Sequence, residues 1–141
     1  MATSDLDAMN DFLAEARNAI VGGVRSDGRL HMTPNWFIWD GDRFFISTTR
    51  DRVKYRLFRD NPRVQLTIDD ATGFRYVMVD GEVSWIEDVT EGLPYFRDLR
   101  HKHGRFEADE AELREEMERD GRTLMVVTPD LPQADWHAKG F

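Results

Sequence analysis

The pattern of apolar and polar residues predicts a chain built mainly of β-strands. Alternating or short apolar runs bounded by turn residues occur over 19–24, 30–39, 43–49, 63–69, 75–86 and 123–128. Short turns separate the first three runs, and the Asp-Gly pairs in Ser26–Gly28 and Asp40–Asp42 are typical of tight hairpins. The first three strands are therefore expected to form an antiparallel meander.

Helical spacing of apolar residues flanks these strands and predicts helices over 4–18, 51–60, 90–100 and 107–122. Asn61 and Pro62 end the second helix, because the residue before a proline is restrained away from helical geometry. Six strands with marginal helices predict a mainly β fold, a small six-stranded antiparallel barrel, with a half-open α/β sandwich as the alternative. The two longest strands, 30–39 and 75–86, are expected to bend and serve two walls of the barrel.

Composition and net charge exclude several classes of protein. The chain has 141 residues, of which 40% are hydrophobic, so we expect one domain over 1–141 with a real core. Its net charge of −8 argues against general nucleic-acid binding, and the absence of cysteine excludes disulfides and thiolate zinc sites. No apolar run approaches the ~20 residues that span a membrane, and the first residues lack signal-peptide features, which favours a cytoplasmic protein.

A basic segment stands out in this acidic chain. Residues 43–63 contain seven basic and two acidic residues, and the hydroxyl run Ser47, Thr48 and Thr49 lies near its start. Hydroxyls and free backbone N–H groups at a helix N-terminus can bind a phosphate, and Arg52 and Lys54 would add charged hydrogen bonds. The alternative is a basic helix face that only increases solubility.

A second candidate cluster is Thr33–Trp36. Pro34 cannot donate a hydrogen bond to a neighbouring strand, so it indicates an edge or an irregularity against which a planar ligand could lie. The alternative is an edge strand that proline merely protects. The histidines predict no metal site, because His101 and His103 are two residues apart on a helix and diverge.

The ordered segments 28–37, 39–43, 47–49, 52–54 and 60–64 resemble the pyridoxamine 5′-phosphate oxidase-like split β-barrel superfamily. More narrowly, they are similar to its actinobacterial deazaflavin-dependent reductases, which use coenzyme F420. The resemblance implies a split-barrel homodimer with two cofactor clefts at the subunit interface. It implies roles for three groups of residues: Thr33, Pro34, Asn35 and Trp36 beside the deazaflavin ring, Ser47, Thr48 and Thr49 on the ribityl chain and phosphate, and Arg52 and Lys54 on the phosphate.

The function implied is hydride transfer from the reduced deazaflavin to an unsaturated small organic acceptor, with no catalytic side chain identified. FMN in the same fold is the alternative cofactor. A non-catalytic cofactor-binding carrier and a structural domain with a chance basic patch are the other hypotheses. Many relatives have Asn three residues after the lysine, where this chain has Leu57. Four Trp and nine Phe exceed what a small barrel interior holds, which independently favours a dimer interface.

Overall fold

The computed structural model describes residues 3–106 and 109–141. The helices are α1 (Thr3–Ala14), α2 (Val53–Asp60), α3 (Val89–Lys102) and α4 (Glu110–Asp120). The strands are β1 (Asn18–Val24), β2 (Leu30–Trp36), β3 (Ile38–Trp39), β4 (Phe44–Thr49), β5 (Arg63–Asp69), β6 (Tyr76–Ile86), β7 (Arg122–Pro129) and β8 (His137–Lys139). A short 3-10 turn at Gln133–Asp135 precedes β8. Among the described residues, no helix has the length and apolar composition needed to cross a membrane.

The strands form one curled antiparallel sheet in the order β2-β1-β5-β6-β7-β4-β3, with β8 on β6. The predicted strand 30–39 is divided at Phe37, which is completely buried. Its first part pairs with β1 and its second part with β4, so one continuous stretch of chain joins the two ends of the sheet. This is the bend that the sequence predicted, and it curls the sheet into a split barrel with flanking helices. The predicted fold class is confirmed.

The other long strand, β6, also serves two walls. Its first half pairs with β5 and its second half with β7, and the change of partner occurs around Gly81. A Cβ atom at Gly81 would lie 2.7 Å from the carbonyl oxygen of Thr128. A side chain therefore has no room where the strands approach, which explains a glycine inside this strand.

Two apolar clusters lie on opposite faces of β4 and β7. Phe44 and Ile46 point into the barrel, where α1 adds Phe12 and Leu13. The other face of these strands is covered by α3 and α4, whose buried Phe96, Leu99 and Met117 pack with Leu124 of β7. Both faces of the β4–β7 pair are therefore covered along most of its length, and the end of this pair is where the candidate site lies.

Some boundaries differ from the sequence prediction. The first helix ends at Ala14 and not at residue 18, because β1 already pairs at Asn18. The last helix begins at Glu110, where the carboxylate of Asp109 accepts a hydrogen bond from the N–H of Glu112; the predicted start, residue 107, lies outside the described residues. The described residues form eight strands and not six, because 30–39 is divided and the tail adds β8.

Candidate anion-binding site

A cavity of about 250 Å³ lies between the end of the β4–β7 pair and the cover formed by α3 and α4. Eight of the nine residues proposed from sequence line it: Pro34, Asn35, Trp36, Ser47, Thr48, Thr49, Arg52 and Lys54. The ninth, Thr33, lies one contact behind the wall, with its hydroxyl oxygen 3.4 Å from the ammonium of Lys54. The fold therefore brings the two candidate clusters of the sequence to one place.

The contact between these clusters is made through Asn35. Alternation along β2 places Thr33 and Asn35 on the same, partly buried side of the strand. The side-chain amide of Asn35 donates to the carbonyl oxygen of Thr33 over 2.8 Å, and its oxygen accepts a hydrogen bond of 2.6 Å from Lys54. The amide orientation is thus determined, and Lys54 is held against β2.

The hydroxyl run at the end of β4 is divided between two faces. Thr48 lies on the barrel side of the strand with Ile46, whereas Ser47 and Thr49 lie on the side of the α3–α4 cover. The hydroxyl of Thr49 donates to the carboxylate of Asp51. This hydrogen bond is the main reason that the pKa of Asp51 is lowered. The proton of Thr49 is therefore already engaged within the chain.

Lys54 is a buried cation that forms no ion pair with any carboxylate in the described part of the chain. It is 8% exposed, and burial lowers its pKa, as do the nearby positive charges of Arg52 and Arg122. None of the described residues lining the cavity is acidic. Gathering like charges in a partly desolvated site is unfavourable, so a bound anion would relieve this repulsion.

Four other basic residues of 43–63 make contacts outside the cavity. Arg50 and Arg59 both form ion pairs with Glu87, Arg59 over 3.2 Å. Arg63 pairs with Asp130, and the guanidinium of Arg43 lies over the ring of Phe45. Only Arg52 and Lys54 of this segment reach the cavity, so the basic run consists of a small cavity-facing pair and a larger set of surface contacts.

Three arginines from distant segments also line the cavity, and the sequence did not reveal them: Arg100, Arg105 and Arg122. Arg100 forms an ion pair of 2.8 Å with Glu116 of α4, and Arg105 lies close enough to influence the same carboxylate. Arg122 lies near Lys54, whose pKa is lowered by burial and further by the positive charges of Arg52 and Arg122. The position of Arg122 just before the predicted strand 123–128 is visible in the sequence, but its neighbours follow only from the pairing of β7 with β4.

Trp36 lies at the rim, 38% exposed. Its indole stacks on the imidazole of His103 at 4.2 Å between ring centroids, with the rings 6° from parallel. One face of the indole is thus covered by the end of α3. His103 has its pKa lowered by burial and by the charge of Lys102, so its neutral form is favoured against the indole.

Leu57, where many relatives have Asn, does not face the cavity. It is buried in the barrel core, and a Cβ atom at Gly23 would lie 2.8 Å from its side chain. The departure therefore concerns the packing of α2 on β1 and leaves the cavity wall unchanged.

Residues 6–132 match the family described as pyridoxamine 5′-phosphate oxidase. The chain belongs to the pyridoxamine 5′-phosphate oxidase family. No curated protein matches this family member in sequence. The split-barrel superfamily expected from the motifs is confirmed.

Among solved structures, this family member is similar to an F420 reductase, with 26% sequence identity and a TM-score of 0.68, over 86% of this chain and 93% of that one. A conserved hypothetical protein from Mycobacterium tuberculosis is 18% identical with a TM-score of 0.77, over 93% of this chain and 82% of that one. The heme storage protein HutZ from Vibrio cholerae is 15% identical with a TM-score of 0.68, over 96% and 94% of the two chains. The last two similarities show the fold alone.

The donors present in this family member fit a phosphate-bearing group. Arg52, Lys54 and Arg122 supply positive charge, and Ser47 supplies a hydroxyl. The buried Nε of Arg122 has no hydrogen-bond partner within 3–106 and 109–141. Buried donors are rarely left without a partner, so an acceptor from a ligand would complete this site.

Proposed function

We propose that this family member is a reductase that uses coenzyme F420 and delivers a hydride to an unsaturated small organic acceptor. The observation that carries the proposal is the cationic group of Arg52, Lys54 and Arg122, which lies beside the hydroxyls of β4 and the Thr33–Trp36 segment. The similarity to an F420 reductase at 26% identity supports the choice of cofactor.

The proposed roles of the residues are those implied by the family resemblance, and the positions of the residues around the cavity support them. Lys54 and Arg52 would bind the phosphate, with Ser47, Thr48 and Thr49 along the ribityl chain. Asn35 orients Lys54, and Thr33, Pro34 and Trp36 would flank the ring. The deazaflavin, when bound, supplies the hydride chemistry, and the protein supplies orientation and electrostatics. The proton would come from water or a nearby acid.

We further propose that the cofactor cleft is completed by a second copy of the chain. The cavity of about 250 Å³ is smaller than the ~300–1,000 Å³ of typical small-molecule sites. It has room for the phosphate end of the ligand, and the ring would extend past Trp36 at the rim. Leu30 and Met32 lie on the same outward face of β2 as Trp36 and are 67% and 58% exposed, which suits an interface.

The proposal is tested by titrating the protein with oxidised coenzyme F420 and following its fluorescence. We expect saturable binding in the micromolar range; no saturation there would reject an F420 enzyme. FMN is the second candidate because the same cations fit its phosphate, and a parallel titration with FMN ranks the two cofactors.

A non-catalytic carrier is the other candidate, favoured by the absence of acidic residues among the described residues that line the cavity. Reduced coenzyme F420 should be mixed with a panel of unsaturated compounds. Oxidation of the coenzyme that depends on both protein and acceptor supports a reductase. Tight binding without turnover across the panel supports a carrier.

A further inference from the structure

Arg122 is placed at the cavity by the pairing of two strands that are distant in sequence. It is the first residue of β7 and lies directly opposite Thr49 of β4. Residues opposite each other in an antiparallel pair project from the same face, so Arg122 shares the face of Thr49 and Ser47. One terminal nitrogen of its guanidinium lies 3.5 Å from the hydroxyl oxygen of Ser47.

The hydrogen bonds of Arg122 are incomplete within the chain. Among the described residues, its buried Nε has no hydrogen-bond partner and no carboxylate forms a salt bridge with it. This contrasts with Arg50, Arg59, Arg63 and Arg100, each of which is paired with an acid. A guanidinium with a buried, unused donor is suited to an anion, because its planar fork can donate two parallel hydrogen bonds to a phosphate.

The surrounding charges lead to the same conclusion. Burial is the main reason that the pKa of Lys54 is lowered, and the charges of Arg52 and Arg122 lower it further, so the three cations lie in one region. The carboxylate of Asp51 accepts a hydrogen bond from the hydroxyl of Thr49, which is the main reason that its pKa is lowered. The positive charges of Arg52 and Arg122 lower this pKa further. The region therefore holds one carboxylate, that of Asp51, and three cations, so its net charge is positive.

We propose that Arg122 is a third phosphate-binding cation of this cavity, that it binds the anion jointly with Lys54, and that Ser47 positions its guanidinium. The identity of the phosphate-bearing ligand rests on the proposed function, whereas the anion site does not. The sequence motifs contain Arg52 and Lys54 but nothing that indicates Arg122.

The first experiment measures the rise in melting temperature that inorganic phosphate produces, because a ligand that binds only the folded state stabilises it. The variants are Arg122→Ala and Arg122→Gln, which keeps much of the aliphatic stem. Arg119→Ala is the matched control, since Arg119 lies three residues earlier, is 65% exposed and contacts Asp120. Removing Arg122 should weaken phosphate binding roughly ten- to hundred-fold, and removing Arg119 should change it little.

The second experiment follows sulfate binding against pH, because sulfate keeps its charge across the range. Affinity should fall as Lys54 loses its proton. In Arg122→Gln this fall should move to higher pH, because removing a neighbouring positive charge raises the pKa of Lys54. A fall at the same pH in both proteins would contradict the placement of the Arg122 charge beside Lys54.

Equal phosphate binding by wild type and Arg122→Gln would overturn the proposal, as would failure of phosphate to stabilise the wild type. If coenzyme F420 does not bind but phosphate stabilisation depends on Arg122, the F420 function is wrong and the Arg122 assignment stands. If coenzyme F420 binds equally to wild type and Arg122→Gln, the assignment is wrong and the F420 function stands.

Discussion

The ammonium of Lys54 lies 2.6 Å from the side-chain oxygen of Asn35, and this hydrogen bond joins α2 to β2. The two residues are 19 positions apart and belong to two motifs with different proposed partners, one for a phosphate and one for a planar ring. Because Lys54 is held by Asn35, an anion bound at Lys54 would be positioned relative to the Thr33–Trp36 segment. The contact gives the cavity a fixed geometry between its charged end and its rim.

Removing a cation that faces the cavity should weaken cofactor binding. Lys54→Ala and Arg52→Ala should each cost about 1.5–3 kcal/mol, or roughly ten- to hundred-fold in Kd for oxidised coenzyme F420. The loss should be small for a deazaflavin without the phosphate, because in the proposed arrangement the ring lies beside the Thr33–Trp36 segment and away from these charges. Fluorescence titration measures both ligands.

Arg59→Ala is the control for these variants, because Arg59 pairs with Glu87 on the outer face of α2. Its effect should be much smaller and should diminish with added salt. Equal losses for Arg59 and Lys54 would indicate a diffuse basic surface and not a phosphate site.

The free energy of unfolding should depend on pH in part through the titration of Lys102. Its ammonium donates to the carbonyl oxygens of Leu13 and Phe37 over 2.7 and 2.9 Å, and burial lowers its pKa from 10.5 to about 8. Between these values the unfolded chain binds more protons than the folded one, so this residue makes stability rise with pH. Denaturant unfolding at pH values across this window should show the wild type gaining stability relative to Lys102→Met. Parallel pH profiles would show that Lys102 titrates normally in the folded protein.

Substituting the residue common among relatives should destabilise this chain. Leu57→Asn places an amide in the barrel core against Gly23, where Leu57 now packs. We expect a loss of about 2–5 kcal/mol in the free energy of unfolding, the range for removing a buried leucine side chain. Val53→Asn, at a 46% exposed position of the same helix, should cost about 1 kcal/mol or less. Similar losses at both positions would mean that helix propensity, and not burial, decides the effect.

The C-terminal tail should contribute to the stability of the barrel. Trp136 is buried, packs against Trp39 and Phe44, and donates its indole N–H to the carbonyl oxygen of Leu131. Trp136→Ala should therefore cost about 3–5 kcal/mol in the free energy of unfolding. The exposed Leu131→Ala is the comparison, and its effect should be slight. A tail that can lose Trp136 without a measurable change is not part of the core.

The proposed dimer should depend on the outward face of β2. Light scattering at low micromolar concentration should give the mass of two chains for the wild type and one chain for Leu30→Glu combined with Met32→Glu, because charges would enter an apolar interface. Phe74→Ser removes a similarly exposed apolar side chain at the β5–β6 turn and should leave the dimer intact. A wild-type monomer would refute the dimer.

Much of the local structure could be predicted, because the signals for it are local. Strand alternation, Asp-Gly turns and the Asn61–Pro62 stop predicted most elements, and the length of 30–39 predicted its bend between two walls. The ordered motifs predicted the superfamily. They also predicted nine site residues, of which eight line one cavity and the ninth, Thr33, lies behind its wall, although their roles as ligands remain predictions.

The tertiary structure decided which distant groups meet. Arg50 and Arg59 form ion pairs with Glu87, whereas Arg52 and Lys54 line the cavity. All four lie in the same basic run of the sequence. Arg122 is opposite Thr49 only because β7 pairs with β4, a register between strands that are more than seventy residues apart. Periodicity describes which side of its own strand a residue occupies, but it carries no information about the neighbouring strand. The sequence by itself therefore determined the elements and the motifs, and the pairing of strands determined which charges share the site.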